Sequence, residues 1–189
     1  MAEYGESSYR RFLEGDDSGF IEIIRDYKDG LILFLHSMTR DYGLAEELCE
    51  DTFVRLAVKK PKFNGRCAFK TFLYAIGRRV AADHLRKMSR REILSLEALS
   101  EEGFDPPADE DVTESYLRDE RKQIVHRALG RLTPTHRQVL WLVYFENLSI
   151  KEAADVLGKT VHATDSLIYR ARLSMKAQLE KEGITNEDL

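Results

Sequence analysis

The run Leu148-Ser149-Ile150-Lys151-Glu152-Ala153-Ala154-Asp155-Val156-Leu157-Gly158-Lys159-Thr160-Val161 constrains this chain most, because it sets two helix-start signals around one glycine. Ser149 stands three residues before Glu152, so its hydroxyl can cap a helix while the carboxylate reaches back to the cap's own amide. Ala153, Ala154, Val156 and Leu157 give that helix a slim apolar face. Gly158 suits the left-handed residue that ends it, and Thr160 is placed to cap a second helix. Along that second helix Val161, Thr164, Ile168, Ala171 and Met175 recur as one stripe at helical spacing. Two short helices about a tight turn are the pattern of a helix-turn-helix, whose second helix offers its free face to a DNA groove. His162, Asp165, Ser166, Tyr169 and Arg170 fall on or near that face, where base edges are read. Arg170, Arg172 and Lys176 continue along the helix, where phosphate contact is the expected role. Helix pairs of this kind also occur in proteins that never touch DNA, so the motif alone leaves both readings open.

Charge is distributed in blocks that the formal net charge of −4 conceals. Residues 1–58 hold six Lys/Arg against thirteen Asp/Glu, and residues 59–92 hold eleven against two. Residues 93–120 hold one against ten, and residues 121–189 eleven against eight. A phosphate backbone responds to a local patch more than to the molecular total, so an acidic chain of this kind can still bind nucleic acid. Within the basic block, Phe63, Phe69, Phe72 and Tyr74 are interleaved with the cations, a combination that holds single-stranded nucleic acid. Phe69, Leu73 and Ile76 also fit the core of a helix, whereas Phe63 and Asn64 belong to the loop Lys59–Arg66, which has little core to join. The acidic run Glu46, Glu47, Glu50 and Asp51 reads either as a solvated face or as a docking surface for a protein partner.

The rest of the chain reads as all-α. Phe12, Phe20, Ile21, Ile24, Leu31 and Phe34 recur at helical spacing with a break near Gly30, and Ala45–Val58 is a second amphipathic stretch. After the basic loop a long helix is expected from Ala68 to about Lys87. Leu94–Val112, with Gly103, Pro106-Pro107 and seven acids, reads as a linker. Helical pattern resumes from Ser115 to Leu132, and Thr133-Pro134 supplies a cap and a first helical residue for a run through Tyr144. The expected organisation is two small helical domains, 1–93 and 119–189, joined by an acidic flexible linker, 94–118. The C-terminal one carries the helix-turn-helix.

Several function classes are disfavoured. His36, His84, His126, His136 and His162 are scattered and form no metal pattern, and no Walker loop, GxSxG elbow or GxGxxG is present. No enzyme activity, cofactor or metal is expected. Cys49 and Cys67 lack metal or redox spacing and read as reduced thiols. Without a run of roughly 20 apolar residues or a signal-peptide core, a cytoplasmic protein with no direct membrane insertion is expected.

Taken in order, these pieces resemble the sigma-70 superfamily of bacterial transcription initiation factors, in its two-domain extracytoplasmic-function group. Ala45-Glu46-Glu47-Leu48-Cys49-Glu50-Asp51-Thr52-Phe53 resembles the family's "AEDLVQETF" helix, with Glu50 in place of glutamine. Phe63-Asn64-Gly65 through Thr71-Phe72-Leu73-Tyr74-Ala75-Ile76 resembles its "F-x-G…TWLY-x-I" segment, with Phe72 in place of tryptophan and Arg79 where asparagine is common. Leu132-Thr133-Pro134 and Leu148–Arg172 resemble its region four, although His162-Ala163-Thr164-Asp165 departs from "GTVK" or "GTVR" and sets an acid where relatives present a cation.

The resemblance implies a non-catalytic subunit of RNA polymerase. It assigns docking on the beta-prime clamp to Glu46, Glu47, Leu48, Glu50 and Asp51, with a further contact to the beta flap. It assigns the melted −10 promoter element to Lys62, Phe63, Asn64, Arg66, Lys70, Phe72, Tyr74, Arg78 and Arg79. The −35 duplex falls to Ser149, Lys159, Thr160, His162, Asp165, Ser166, Tyr169 and Arg170. An anti-sigma protein, membrane-attached for many relatives, is the implied regulator. The alternative is a helix-turn-helix regulator whose first domain is a separate protein-docking module.

Overall fold

Five helix starts among the described residues are set by side chains, Asp16, Asp41, Thr133, Ser149 and Thr160, that accept from otherwise orphaned backbone amides. The computed structural model describes residues 4–98 and 120–183. Helix α1 spans Tyr4–Leu13, and α2, Asp17–Thr39, begins where Asp16 accepts from Ser18 N. Helix α3, Tyr42–Lys59, begins where Asp41 accepts from Leu44 N at 2.9 Å. Helix α4 spans Phe69–Ala98. In the second half α5 is Glu120–Gly130 and α6 is Pro134–Leu140, capped by Thr133 with proline in its first turn. A π-helical turn, Trp141–Phe145, leads to α7, Ile150–Leu157, and α8, Val161–Lys181.

Three expectations change. The helix of the first block is not broken at Gly30: α2 runs through it, and the break falls at Glu14–Asp16. Glycine weakens a helix interior by about 1 kcal/mol, yet here space decides, since a Cβ on Gly30 would lie 2.6 Å from Tyr74 Oη. Helix α4 extends to Ala98, so Leu94–Ala98, assigned to the linker by composition, are helical. The remainder of the proposed linker, 99–118, lies outside the described residues. Val161, placed in the buried stripe of α8, is exposed; Leu167 joins Thr164, Ile168 and Ala171 on the inward face instead.

The described residues share one apolar core. In the first half α1 and α3 pack along α2, with Ile23, Leu31, Phe34, Leu48, Leu56, Phe69 and Leu73 fully enclosed. In the second half α6, α7 and α8 enclose Val139, Leu142, Ala153 and Ala171. The halves also meet: α4 packs on α7, and α2 on α6. Among the described residues no helix is long and apolar enough to cross a membrane.

Candidate nucleic-acid interface

The helix-turn-helix is built as its local chemistry requires. Ser149 Oγ accepts from Glu152 N at 3.3 Å, and Ser149 N donates to Glu152 Oε2 at 2.9 Å, so both halves of the capping box are closed. Gly158 ends α7 at φ 62°, and Thr160 Oγ1 accepts from Ala163 N at 3.2 Å to start α8. Ser149 and Thr160 thus have their hydroxyls engaged by the backbone. Lys159, His162, Asp165, Ser166, Tyr169 and Arg170 are all exposed, with Tyr169 at 66%. Asp165, Ser166, Tyr169 and Arg170 line one shallow cleft with Ile150. Farther along, Arg172 lies over the Tyr144 ring, 5.5 Å from its centroid.

The second constellation is the basic loop with α4. Lys62, Asn64 and Arg66 are exposed, and Asn64 Oδ1 accepts from Arg66 N at 3.2 Å, fixing the turn at Gly65. Phe63 departs from the expectation of a loop aromatic without a core. It is half-buried, 5.7 Å from the Phe69 ring and 5.2 Å from Phe72. Tyr9 joins this cluster and donates from its hydroxyl to Pro61 O at 2.8 Å, so α1 anchors the loop. Burial raises the Tyr9 phenol to about 12. The loop therefore presents its cations from a fixed aromatic base.

On α4 itself, Phe72 and Arg78 are half-buried and Arg79 is exposed. Burial, and then the neighbouring Arg79, lower the Arg78 guanidinium, whose Nε has no hydrogen-bond partner among the described residues. Two residues assigned to the same DNA face are instead engaged within the chain. Tyr74 is 1% exposed, stacked at 5.3 Å on Phe34, and donates to Glu146 Oε2 at 2.9 Å. Lys70 Nζ lies 2.7 Å from the same carboxylate oxygen.

The acidic run of α3 faces outward at Glu46, Glu47, Glu50 and Asp51, whereas Leu48 is 1% exposed and belongs to the core. Its place in the helix period, one turn from Thr52, turns it inward. Sequence reading missed the apolar groove beside this run, formed by Phe20, Ile24, Phe53, Val54 and Val58 and rimmed by Lys28 and Glu50. Val54 and Val58 are 58% and 70% exposed. The available signal was their spacing of four residues on a helix whose apolar face was already accounted for. A second apolar groove between α5, the π turn and α8 is lined by Val125, Tyr144, Phe145, Met175 and Leu179.

Residues 23–91 match the Sigma-70 region 2 family, and residues 122–175 match the Sigma-70, region 4 family. The chain is 29% identical over 164 residues to the RNA polymerase sigma factor YlaC of Bacillus subtilis, covering 85% of this chain and 91% of that one. It is 32% identical over 145 residues to the ECF RNA polymerase sigma factor SigC of Mycobacterium tuberculosis, covering 77% and 75% respectively. Among solved structures, it resembles CnrH in complex with the cytosolic domain of CnrY, at a TM-score of 0.66 and 22% identity over 95% of this chain and 99% of that one. The sigma factor RpoE bound to the anti-sigma factor NepR from Bartonella quintana gives 0.65 and 23% identity, over 85% and 96%.

Proposed function

The chain belongs to the sigma-70 family, in the extracytoplasmic-function group of RNA polymerase sigma factors, and we infer from its interface geometry how it divides promoter recognition between its two halves. Helices α1–α4 with the basic loop take the melted −10 element, and α5–α8 take the −35 duplex. The observation that carries this reading is the pairing of a cation-bearing loop on an aromatic base with an exposed recognition helix whose start is capped by Thr160. A sigma factor initiates transcription by binding and catalyses no turnover of its own.

The energetics favour that division. Extruding a base from duplex costs a few kcal/mol, and stacking it on an aromatic side chain returns about 1–3 kcal/mol. Phe63 and Phe72 offer aromatic surface on this face, while Lys62, Arg66, Arg78 and Arg79 neutralise the strand's phosphates. Duplex contact through Lys159, Thr160, His162, Asp165, Ser166, Tyr169 and Arg170, with Ser149 at the start of α7, holds the complex in register while melting proceeds.

Core polymerase docks through Glu46, Glu47, Glu50 and Asp51 together with the apolar Val54 and Val58 beside them. A run of acids beside an apolar groove suits a partner that joins basic to apolar side chains. The groove of Tyr144, Phe145 and Met175 is the surface for the beta flap. An anti-sigma protein is a further partner, by analogy with the RpoE complex. The site of action is the cytoplasm, where the polymerase works.

The test is run-off transcription with core polymerase on genomic fragments. The reading requires discrete transcripts that depend on the added chain, and their start points give both promoter elements. Failure to co-elute with core polymerase, together with an absence of such transcripts, overturns it.

A further inference from the structure

One polar node interrupts the apolar seam between the halves. Glu146 follows the π turn, and its side chain is 9% exposed. Tyr74 Oη donates to Oε2 at 2.9 Å, Trp141 Nε1 donates to Oε1 at 3.2 Å, and Lys70 Nζ lies 2.7 Å from Oε2. Lys70 Nζ also donates to the Glu146 carbonyl at 3.0 Å, so side chain and backbone of one residue hold it. The π turn sets this up: Glu146 N donates to Trp141 O at 3.1 Å, and Trp141 stacks on Phe145 at 4.3 Å, which turns the carboxylate toward α4. On the other side Gly30 leaves the room, since its Cβ would come within 3.4 Å of the carboxylate.

Lys70 and Tyr74 sit on the face assigned above to −10 DNA, and resting on that reading we propose that Glu146 is an autoinhibitory latch, its carboxylate occupying the site where Lys70 and Tyr74 receive a DNA phosphate. Carboxylate and phosphate are both anionic acceptors, and an ammonium beside a phenol hydroxyl serves either. The Lys70 ammonium lies 5.5 Å from the Tyr74 ring centroid, so the two donors form one cradle rather than separate contacts. Such a pair suits a releasable lock. The gain from pairing in a half-buried setting is largely offset by desolvation, so partners that return to water or to phosphate lose little. Closed, the seam engages the Lys70 ammonium and the Tyr74 hydroxyl; open, it frees both donors for another anion.

The experiment compares the full chain with Glu146→Gln, which keeps size and one acceptor oxygen but removes the charge and the second acceptor, and with a charge exchange across the node. Radius of gyration by small-angle scattering reports opening, and anisotropy of a labelled mixed-sequence single-stranded DNA reports the freed face. Apparent affinity scales with the open fraction, so a chain closed nine-tenths of the time gains about tenfold on full opening. Glu146→Gln is expected to expand the chain and tighten DNA binding by up to that factor, and adding Lys70→Ala abolishes the gain. Lys70→Glu alone is expected to expand the chain, and Lys70→Glu with Glu146→Lys to restore compactness. Unchanged dimensions in both single variants overturn the latch while leaving the −10 reading untouched. Expansion with DNA affinity that neither rises nor responds to Lys70→Ala overturns the masking of a DNA site and faults the −10 assignment itself. Helical content by circular dichroism confirms that each variant is folded.

Discussion

Ser149 and Glu152 cap each other: the serine hydroxyl accepts from the Glu152 amide at 3.3 Å, and the Glu152 carboxylate accepts from the serine amide at 2.9 Å. Helix α7 has only eight residues, so these bonds are a large part of what defines its start. Ser149→Ala is expected to destabilise the chain by about 1 kcal/mol. Thermal melts followed by circular dichroism check this. A melting temperature equal to that of the unsubstituted chain would show that tertiary packing alone sets the helix start.

Gly30→Ala sets helix propensity against space. Alanine favours a helix interior by about 1 kcal/mol over glycine, but its Cβ would lie 2.6 Å from the hydroxyl of Tyr74, whose ring is stacked on Phe34. Overpacking of that kind costs about 1–3 kcal/mol, and the Tyr74–Glu146 bond is strained with it. The expected outcome is a net loss of about 1 kcal/mol in urea unfolding. A stabilised variant would mean that Tyr74 has room to retreat.

Alkaline pH bears on groups that folding keeps protonated. Burial lifts the Cys49 thiol from 9.0 to about 12 and the Tyr9 phenol from 10.0 to about 12. Burial and then the Glu146 carboxylate raise the Tyr74 phenol too. These are acids whose folded values exceed their unfolded ones, so the folded state holds more protons between the two. Their contribution is complete below about pH 9 and is lost as pH rises toward the folded values. Urea midpoints are expected to fall from about pH 9 upward, and less steeply in Cys49→Ala. The same burial leaves Cys49 almost without thiolate at neutral pH, so a thiol reagent should modify half-buried Cys67 first.

What was legible in the sequence was local. The Ser149 and Thr160 caps, the left-handed Gly158 and the Pro134 start each depend on neighbours within four residues, and the folded chain forms all of them. What was not legible depended on contacts remote in sequence. Phe63 reads as a loop aromatic until Phe69, Phe72 and Tyr9 converge beneath it. Tyr74 reads as part of a DNA face until Glu146, seventy-two residues away, meets it. Gly30 reads as a helix break because its reason, the Tyr74 hydroxyl, belongs to another helix. Leu48 is legible as a core residue from the helical period it shares with Ala45, Thr52 and Leu56, and only the family resemblance groups it with its acidic neighbours.

Asp165 is exposed near the start of α8, in the cleft with Ser166, Tyr169 and Arg170, and it makes no ion pair among the described residues. Two outcomes separate its possible roles. If its carboxylate accepts from a cytosine amino group in the major groove, Asp165→Ala relaxes preference at one base pair, worth about 1–3 kcal/mol, and leaves preferences elsewhere intact. If it is only a solvated acid near phosphates, its removal strengthens binding to all duplexes alike and alters the salt dependence. We expect the first, since an anion on the free face of a recognition helix weakens every complex unless a base donor meets it. Selection of bound duplexes from a pool randomised across the −35 element distinguishes them, and an identical preference in the variant would sink the base-reading role.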